Sequence, residues 1–353
     1  MKRFLMHAFA FQLLLVSAQA QKISGKVDGK SAVADTIYFG FGNIDQKYFD
    51  TSIAPAPLKA NLYTANNNVP YPQMYRILFA SDRNILAYRK GCYFIDASTT
   101  NITTNYASDN CSEVNGPTAD EYKNKFIPFM TAGTSYDCAS GDLSDLFDDP
   151  AKKADSLLLR YVTRYPNSYV ALWKLIERFS MWGQSALRQQ TVGAFSNKIK
   201  AGKPWTLLNQ DFINSKVKEG GAFPNLNLKD LNLAATNFVV PKAKYTLIDF
   251  WFARCRPCLD TIPELKKLYI AYQSKGFEIV SISVDETKNV PLWQQRVKAH
   301  GLNWTQYLEE NNFQHNELGI KGFPTFILLD EQGTIIQKDF DLHDLDKFLK
   351  ANL

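Results

Sequence analysis

Residues 249–258 read Asp-Phe-Trp-Phe-Ala-Arg-Cys-Arg-Pro-Cys. The apolar run Tyr245–Phe252 ends inside this stretch. Two of the five cysteines follow, three positions apart, each with an arginine before it. A strand that stops where a helix starts gives such a pair its chemistry. The N-terminus of a helix carries partial positive charge and unpaired N–H groups, and these stabilise a thiolate. Arg254 and Arg256 add charge on either side of Cys255. Pro257 suits a first helical turn, where a missing N–H costs little. Cys255 is therefore expected to be the exposed, low-pKa nucleophile, with Cys258 as the more buried thiol that resolves it. Free cysteine titrates near ~8.5, and the first cysteine of such motifs falls to ~3.5–7.5.

A zinc site fits less well. Tetrahedral zinc takes four ligands, there is no second closely spaced cysteine pair, and His300, His315 and His343 fall on separate expected elements. An inert disulfide is the other bland reading, but this spacing at a strand-to-helix junction in an α/β unit points to redox exchange.

Working outward, residues 222–353 alternate strand and helix signals. Strands are expected at 245–252, 277–284, 325–330 and 334–338, and helices at 263–272, 291–300 and 343–349. Glu331-Gln332-Gly333 forms a hairpin turn between the last two strands. This order describes an α/β domain with helices over a central sheet. Gly220-Gly221 reads as a hinge into it. Residues 117–219 are helical in character. In 151–165 and 168–182 apolar side chains recur every three or four positions: Leu158, Tyr161, Val162 and Tyr165, then Leu172, Leu175, Ile176 and Phe179. Those stripes read as core. Residues 21–116 hold short β-prone runs, such as 35–41, 74–80 and 92–96, separated by polar clusters such as 65–69. The expectation is an antiparallel sandwich.

The chain opens MKRFLMHAFAFQLLLVSAQA. A basic start, an apolar stretch and a small-x-small end read as a secretory signal peptide cleaved after Ala20. The apolar run is shorter than the ~20 residues needed to span a bilayer. The protein is expected to be exported to the periplasm or cell envelope, with no membrane span after signal removal. The formal charge is +5, of which Lys2 and Arg3 carry two, so neither nucleic acid nor a membrane surface is an implied partner. Export permits disulfides. Cys92 and Cys111 are the expected structural pair, although Cys138 could partner either, and an odd count leaves one thiol over.

Two segments carry a resemblance. YTLIDFWFARCRPCLDTIPELKKLY (245–269) and GIKGFPTFILLDEQGTII (319–336) resemble the thioredoxin superfamily, and more narrowly its exported TlpA/ResA-like thiol–disulfide oxidoreductases with an AhpC/TSA-type domain. The layout ahead of them resembles the N-terminal extension of the DUF4369 kind. The resemblance implies catalytic roles for Cys255, Cys258, Asp249 and Pro324. Cys255 and Cys258 would be the redox pair, and Pro324 the cis-proline facing it. Asp249 would be a buried acid that takes the proton of Cys258. It gives Trp251 a place supporting the site and pairs the backbone beside Phe323 with the substrate chain; with Arg254 and Arg256, which flank Cys255, these are the expected substrate-binding residues. It implies no cofactor and no metal. Arg254, Arg256 and Thr261 stand where many members carry other residues, and this bears on potential and substrate choice.

The expected function is thiol–disulfide exchange on envelope proteins with disulfides or dithiols. Family precedent favours reduction, fed by a membrane thiol donor. Positive charge near Cys255 pulls the other way, toward a more oxidising pair. Two rivals stand beside this reading. A thiol peroxidase would want threonine three before the first cysteine, where Phe252 sits. A glycan- or partner-binding protein would make the β domain primary. The Asn-x-Ser/Thr triplets at 101, 110 and 303 match an acceptor pattern for glycosylation.

Overall fold

Alternation builds the first strand. Along Gln21–Asp28 the residues Ile23, Gly25 and Val27 are buried, while Lys22, Ser24 and Lys26 face outward. That is the period-2 signature of a half-covered sheet. The computed structural model describes residues 21–30, 34–50, 53–81, 91–131, 137–139, 152–311, 314–320, 322–338 and 340–353. The expected signal peptide lies outside them. Among the described residues no helix is long and apolar enough to cross a membrane.

The N-terminal strands are β1 (Gln21–Asp28), β2 (Asp35–Gly40), β3 (Ala56–Leu58), β4 (Leu62–Asn67), β5 (Gln73–Phe79), β6 (Tyr93–Ile95), β7 (Asn101–Asn105) and β8 (Glu113–Val114). They form two sheets, ordered β4-β1-β7-β8 and β3-β2-β5-β6. Two details depart from the sequence reading. First, β1 and β7 run parallel. Strands β2–β6 intervene between them in the chain, so the connection is long enough for a parallel crossover, which a hairpin cannot make. Second, the polar cluster at 65–69 is no simple break, because β4 runs through Asn67. That side chain is buried and donates to the carbonyls of Asp96 at 2.8 Å and Thr99 at 3.0 Å, which offsets its desolvation.

Helices follow: α1 (Pro117–Glu121), α2 (Ile127–Met130), α3 (Lys152–Arg164), α4 (Tyr169–Trp182), α5 (Ala186–Ala194), α6 (Asn197–Lys200) and α7 (Lys203–Asn214). Ser168 caps α4, its Oγ accepting from Ala171 N at 3.0 Å. Leu158, Tyr161 and Val162 of α3 and Leu172, Leu175 and Ile176 of α4 are buried in one apolar cluster with the β-domain core. The helical region thus shares an apolar core with the β domain. Asp155 accepts from Arg178 Nε at 2.9 Å and Arg188 Nη1 at 2.6 Å, tying α3, α4 and α5 together in a buried triad.

The C-terminal domain carries β9 (Asn227–Lys229), β10 (Ala235–Asn237), β11 (Tyr245–Trp251), α8 (Arg256–Tyr272), β12 (Phe277–Ser283), α9 (Val290–His300), β13 (Thr305–Leu308), α10 (Gln314–Glu317), β14 (Thr325–Asp330), β15 (Ile335–Lys338) and α11 (Leu342–Asn352). Its sheet order is β10-β9-β13-β12-β11-β14-β15. β11 pairs parallel with β12 and antiparallel with β14. Leu247 and Trp251 face the cluster formed with α8, α9 and α11. Ile248 and Phe250 face the opposite cluster, with Phe223, Leu226 and Ile320. Gly220-Gly221 is not a loose hinge. Gly220 N donates to Ile335 O at 2.7 Å and Ile335 N to Gly221 O at 2.8 Å, so this segment is stitched to β15.

Candidate active site

Strand β11 delivers the motif to the start of α8. Cys255 is the N-cap and α8 begins at Arg256, with Pro257 in the first turn. The motif reading starts a helix at Cys255 and Pro257, while the separately expected helical span is 263–272; α8 joins the two, and Pro263 lies inside it. A buried stripe of Cys258, Ile262, Leu265, Leu268 and Tyr272 holds the helix against the sheet, and this burial outweighs the ~3 kcal/mol that an interior proline costs.

Cys255 and Cys258 are joined as a disulfide, Cα atoms 5.3 Å apart. The Cys255 sulfur accepts the Cys258 N–H at 3.2 Å, the contact expected of a sulfur at a helix N-terminus. The expected contrast in exposure is corrected: Cys255 is 4% exposed and Cys258 3%. The bond draws both sulfurs into the apolar cluster with Trp251, Ala253 and Ile262. Arg254, Arg256 and Pro257 around them are exposed. The two arginines do not act on the sulfur alone. Arg256 Nε donates to both carboxylate oxygens of Asp260 at 3.0 and 3.1 Å, and the charge of Arg254 acts on Asp285.

Asp249 occupies the same face of β11 as Leu247 and Trp251, the face that α8 covers. It is buried and accepts from Ser281 Oγ at 2.8 Å. Burial pushes its carboxyl up to about 7, against the lowering effect of the Ser281 hydrogen bond. Trp251 is 2% exposed, so the expected substrate contact is corrected. Trp251 lies in the same buried apolar cluster as Cys255 and Cys258.

The Phe323–Pro324 peptide bond is cis. Phe323 is half-buried and meets Phe252 edge-on, ring centroids 5.5 Å apart. The loop ahead of β14 and the end of β11 thereby touch beside the cysteines.

Two acidic groups escaped the sequence reading. Asp285, just past β12, accepts from Ala253 N at 2.8 Å and Ser283 Oγ at 2.7 Å, pinning the loop that leads to Cys255. Burial raises its pKa against those hydrogen bonds and against Arg254. The parallel register sets Ser283 beside Trp251, and a strand-end acid in Ser-Val-Asp was the available signal. Glu309 and His315 Nδ1 form a buried hydrogen bond, and the imidazole lies 5.7 Å from the Phe323 ring. Nothing in the local sequence marks that pair.

Away from this site, the expected Cys92–Cys111 bond is corrected. Cys111 pairs with Cys138, Cα atoms 5.0 Å apart, and Cys92 is in neither disulfide. Its sulfur faces two cations, Arg76 Nη1 of β5 at 3.1 Å and Lys174 Nζ of α4 at 3.8 Å. Glu177 pairs with both cations. Burial would raise Glu177, yet Lys174 and Arg76 hold it down near 2. The Cys111–Cys138 bond borders a cavity of about 950 Å³, lined also by Phe94, Asp120, Tyr122 and Lys123.

Comparison with known proteins places similarity on the C-terminal part. Residues 243–335 match the Thioredoxin-like family. The thiol-disulfide oxidoreductase ResA of Bacillus anthracis is 28% identical over 142 residues, 40% of this chain and 81% of that protein. ResA of Bacillus subtilis is 26% identical over 134 residues, 38% of this chain and 74% of that protein. Among solved structures, the thioredoxin domain of a thiol-disulfide oxidoreductase from Bacteroides vulgatus is 30% identical. The match covers 38% of this chain and 99% of that one, with a TM-score of 0.34.

Proposed function

We propose, on the premise that the chain belongs to the thioredoxin-like family through its C-terminal domain, that it exchanges disulfides with exported proteins through Cys255 and Cys258, in the reducing direction. The observation that carries this is the disulfide at the mouth of α8, its first sulfur accepting a helix N–H. In the reduced form the Cys255 thiolate attacks a sulfur of the substrate disulfide. A mixed disulfide forms and one substrate thiolate leaves. Cys258 gives up its proton, attacks the Cys255 sulfur and releases the second substrate thiolate. Two electrons have passed to the substrate, and the enzyme holds the Cys255–Cys258 bond. A membrane thiol donor then restores the dithiol.

Asp249 is the proton acceptor for Cys258 in this scheme. A carboxyl near 7 exchanges protons at neutral pH. The backbone at Phe323, beside the cis-proline, pairs with the substrate chain. Arg254 and Arg256 are the exposed charges the substrate meets. Export to the envelope rests on the basic-apolar-small pattern of residues 1–20, and the reducing direction on the family resemblance.

The test is insulin reduction together with partner capture. Wild type should reduce insulin with a thiol donor. Cys258→Ser expressed in cells should hold mixed disulfides through Cys255, identified by mass spectrometry as oxidised envelope proteins. Inert wild type and an empty trap would remove the proposal. The cavity beside Cys111–Cys138 favours a second reading, in which the extension binds a partner and the redox domain is secondary. Inert wild type would favour it.

A further inference from the structure

Trp182 ends α4, in the helical region, yet its indole lies against the active-site loop of the other domain. A Cβ built on Gly322 would fall 2.3–2.6 Å from three carbons of that ring. Real side-chain carbons do not come so close, so a glycine at 322 is what lets ring and backbone meet. Gly322 immediately precedes Phe323 and the cis-proline. Its carbonyl accepts from Thr325 Oγ1 at 2.8 Å, which ties the turn to β14. Phe323 in turn meets Phe252, three residues before Cys255. A continuous line of contact runs from Trp182 through Gly322 and Phe323 to the motif strand.

Trp182 is itself held hard. Its carbonyl accepts from Lys338 Nζ at 2.5 Å and Arg188 Nη2 at 3.2 Å. Gly183 ends the helix with φ +67, and its carbonyl accepts from Arg188 Nε at 2.8 Å. Arg188 is anchored on Asp155, which also binds Arg178. Lys338 belongs to β15 and is 1% exposed. A Cβ on Gly183 would lie 2.9 Å from that ammonium. Buried cations from both domains converge on one residue, whose ring then bears on one turn. An appended domain with a separate task needs only a linker and a modest interface.

We propose that Trp182 is a positioning residue for disulfide exchange: it fixes the Gly322–Phe323–Pro324 turn on which the substrate backbone docks, so the N-terminal extension sets the enzyme's hold on protein substrates. This rests on the function proposed above. The turn must present its backbone at a fixed offset from Cys255 for the substrate disulfide to lie in line. Misplacement by about 1 Å costs as much as 10²-fold. A small disulfide with no peptide backbone does not use the turn and should not feel its loss.

The experiment compares full-length wild type, Trp182→Ala, Trp182→Phe and Gly322→Ala. Each is assayed on insulin and on 2-hydroxyethyl disulfide, with kcat and KM separated. Trp182→Ala should raise KM for insulin about tenfold while its rate on 2-hydroxyethyl disulfide stays within about twofold. Trp182→Phe should restore most of the insulin KM. Gly322→Ala perturbs the same contact from the catalytic side and should reproduce the insulin defect, and it decides the matter if Trp182→Ala does not fold. An unchanged insulin KM, or an equal loss on both substrates, overturns the positioning role while leaving the exchange activity standing. Wild type inert on both substrates overturns the exchange activity and this role with it.

Discussion

The chain holds two disulfides that are chemically the same bond. Cys255–Cys258 closes a sequence separation of 3, and Cys111–Cys138 one of 27. The long loop is the one that matters to the unfolded chain. Closing it removes conformational freedom worth about 3 kcal/mol, and it straps the 3-10 turn before β8 to the segment after α2. The short one restrains the unfolded chain less, because it closes a separation of only 3. A bond that contributes little to folding can be made and broken without disturbing the fold. Position does the rest: the short bond sits at a helix N-terminus between exposed arginines, above a buried acid near neutrality.

That division is most exposed to Cys255→Ser. Insulin reduction should fall by on the order of 10³-fold or more, while the urea midpoint stays close to wild type. A large shift in the midpoint would mean that the short bond is structural after all. Asp249→Asn comes next. It keeps an acceptor for Ser281 but cannot take a proton, so turnover should drop by about 10²-fold and the pH profile should flatten around 7. The same acid tests stability. Its folded pKa of about 7 lies above its ordinary 3.8, so between those values the folded state binds more protons than the unfolded one. Stability therefore falls as pH rises from 4 to 7, by an amount on the order of 4 kcal/mol. Asp249→Asn should remove that slope in denaturation curves, and an unchanged slope would return Asp249 to an ordinary ionised acid. Cys111→Ser should cost about 3 kcal/mol of stability and leave insulin turnover within about twofold; lost turnover would join the two regions. Smallest is Arg256→Ala, an exposed charge already shared with Asp260. It should slow iodoacetamide alkylation of reduced Cys255 by about twofold, and a tenfold effect would give Arg256 a larger share in activating the thiol.

The parts of the site legible in the sequence are those that sit together in it. Cys255, Pro257 and Cys258 lie within four residues, and helix-capping rules suffice to place them; Asp249, six residues before Cys255, was singled out by the resemblance. Pro324 is 66 residues past Cys258, and only the resemblance singled it out. Asp285 was out of reach because its role needs the parallel register of β12 on β11. The Glu309–His315 pair and Trp182 meet Phe323 and Gly322 only through tertiary packing. The cysteine pairing was misread for a similar reason. Sequence separation says nothing about which way Cys92 points, and it points at Arg76 of β5 and Lys174 of α4. The fold class survived because hydrophobic periodicity decides it. The start of α8 was legible at Cys255 and Pro257; only the span 263–272 was read short, because Pro263 looks like a beginning when it is read locally.

Pro263 has one more consequence. Without an amide hydrogen it leaves the carbonyl of Leu259 without its usual donor, one residue past the second sulfur. The opening two turns of α8 thus join the remainder across one missing backbone hydrogen bond, and it is the burial of Cys258 and Ile262 that keeps them on the sheet. Deuterium uptake at the amides of 258–262 should run ahead of uptake at 266–272, and equal uptake would mean that burial alone makes up for the missing bond.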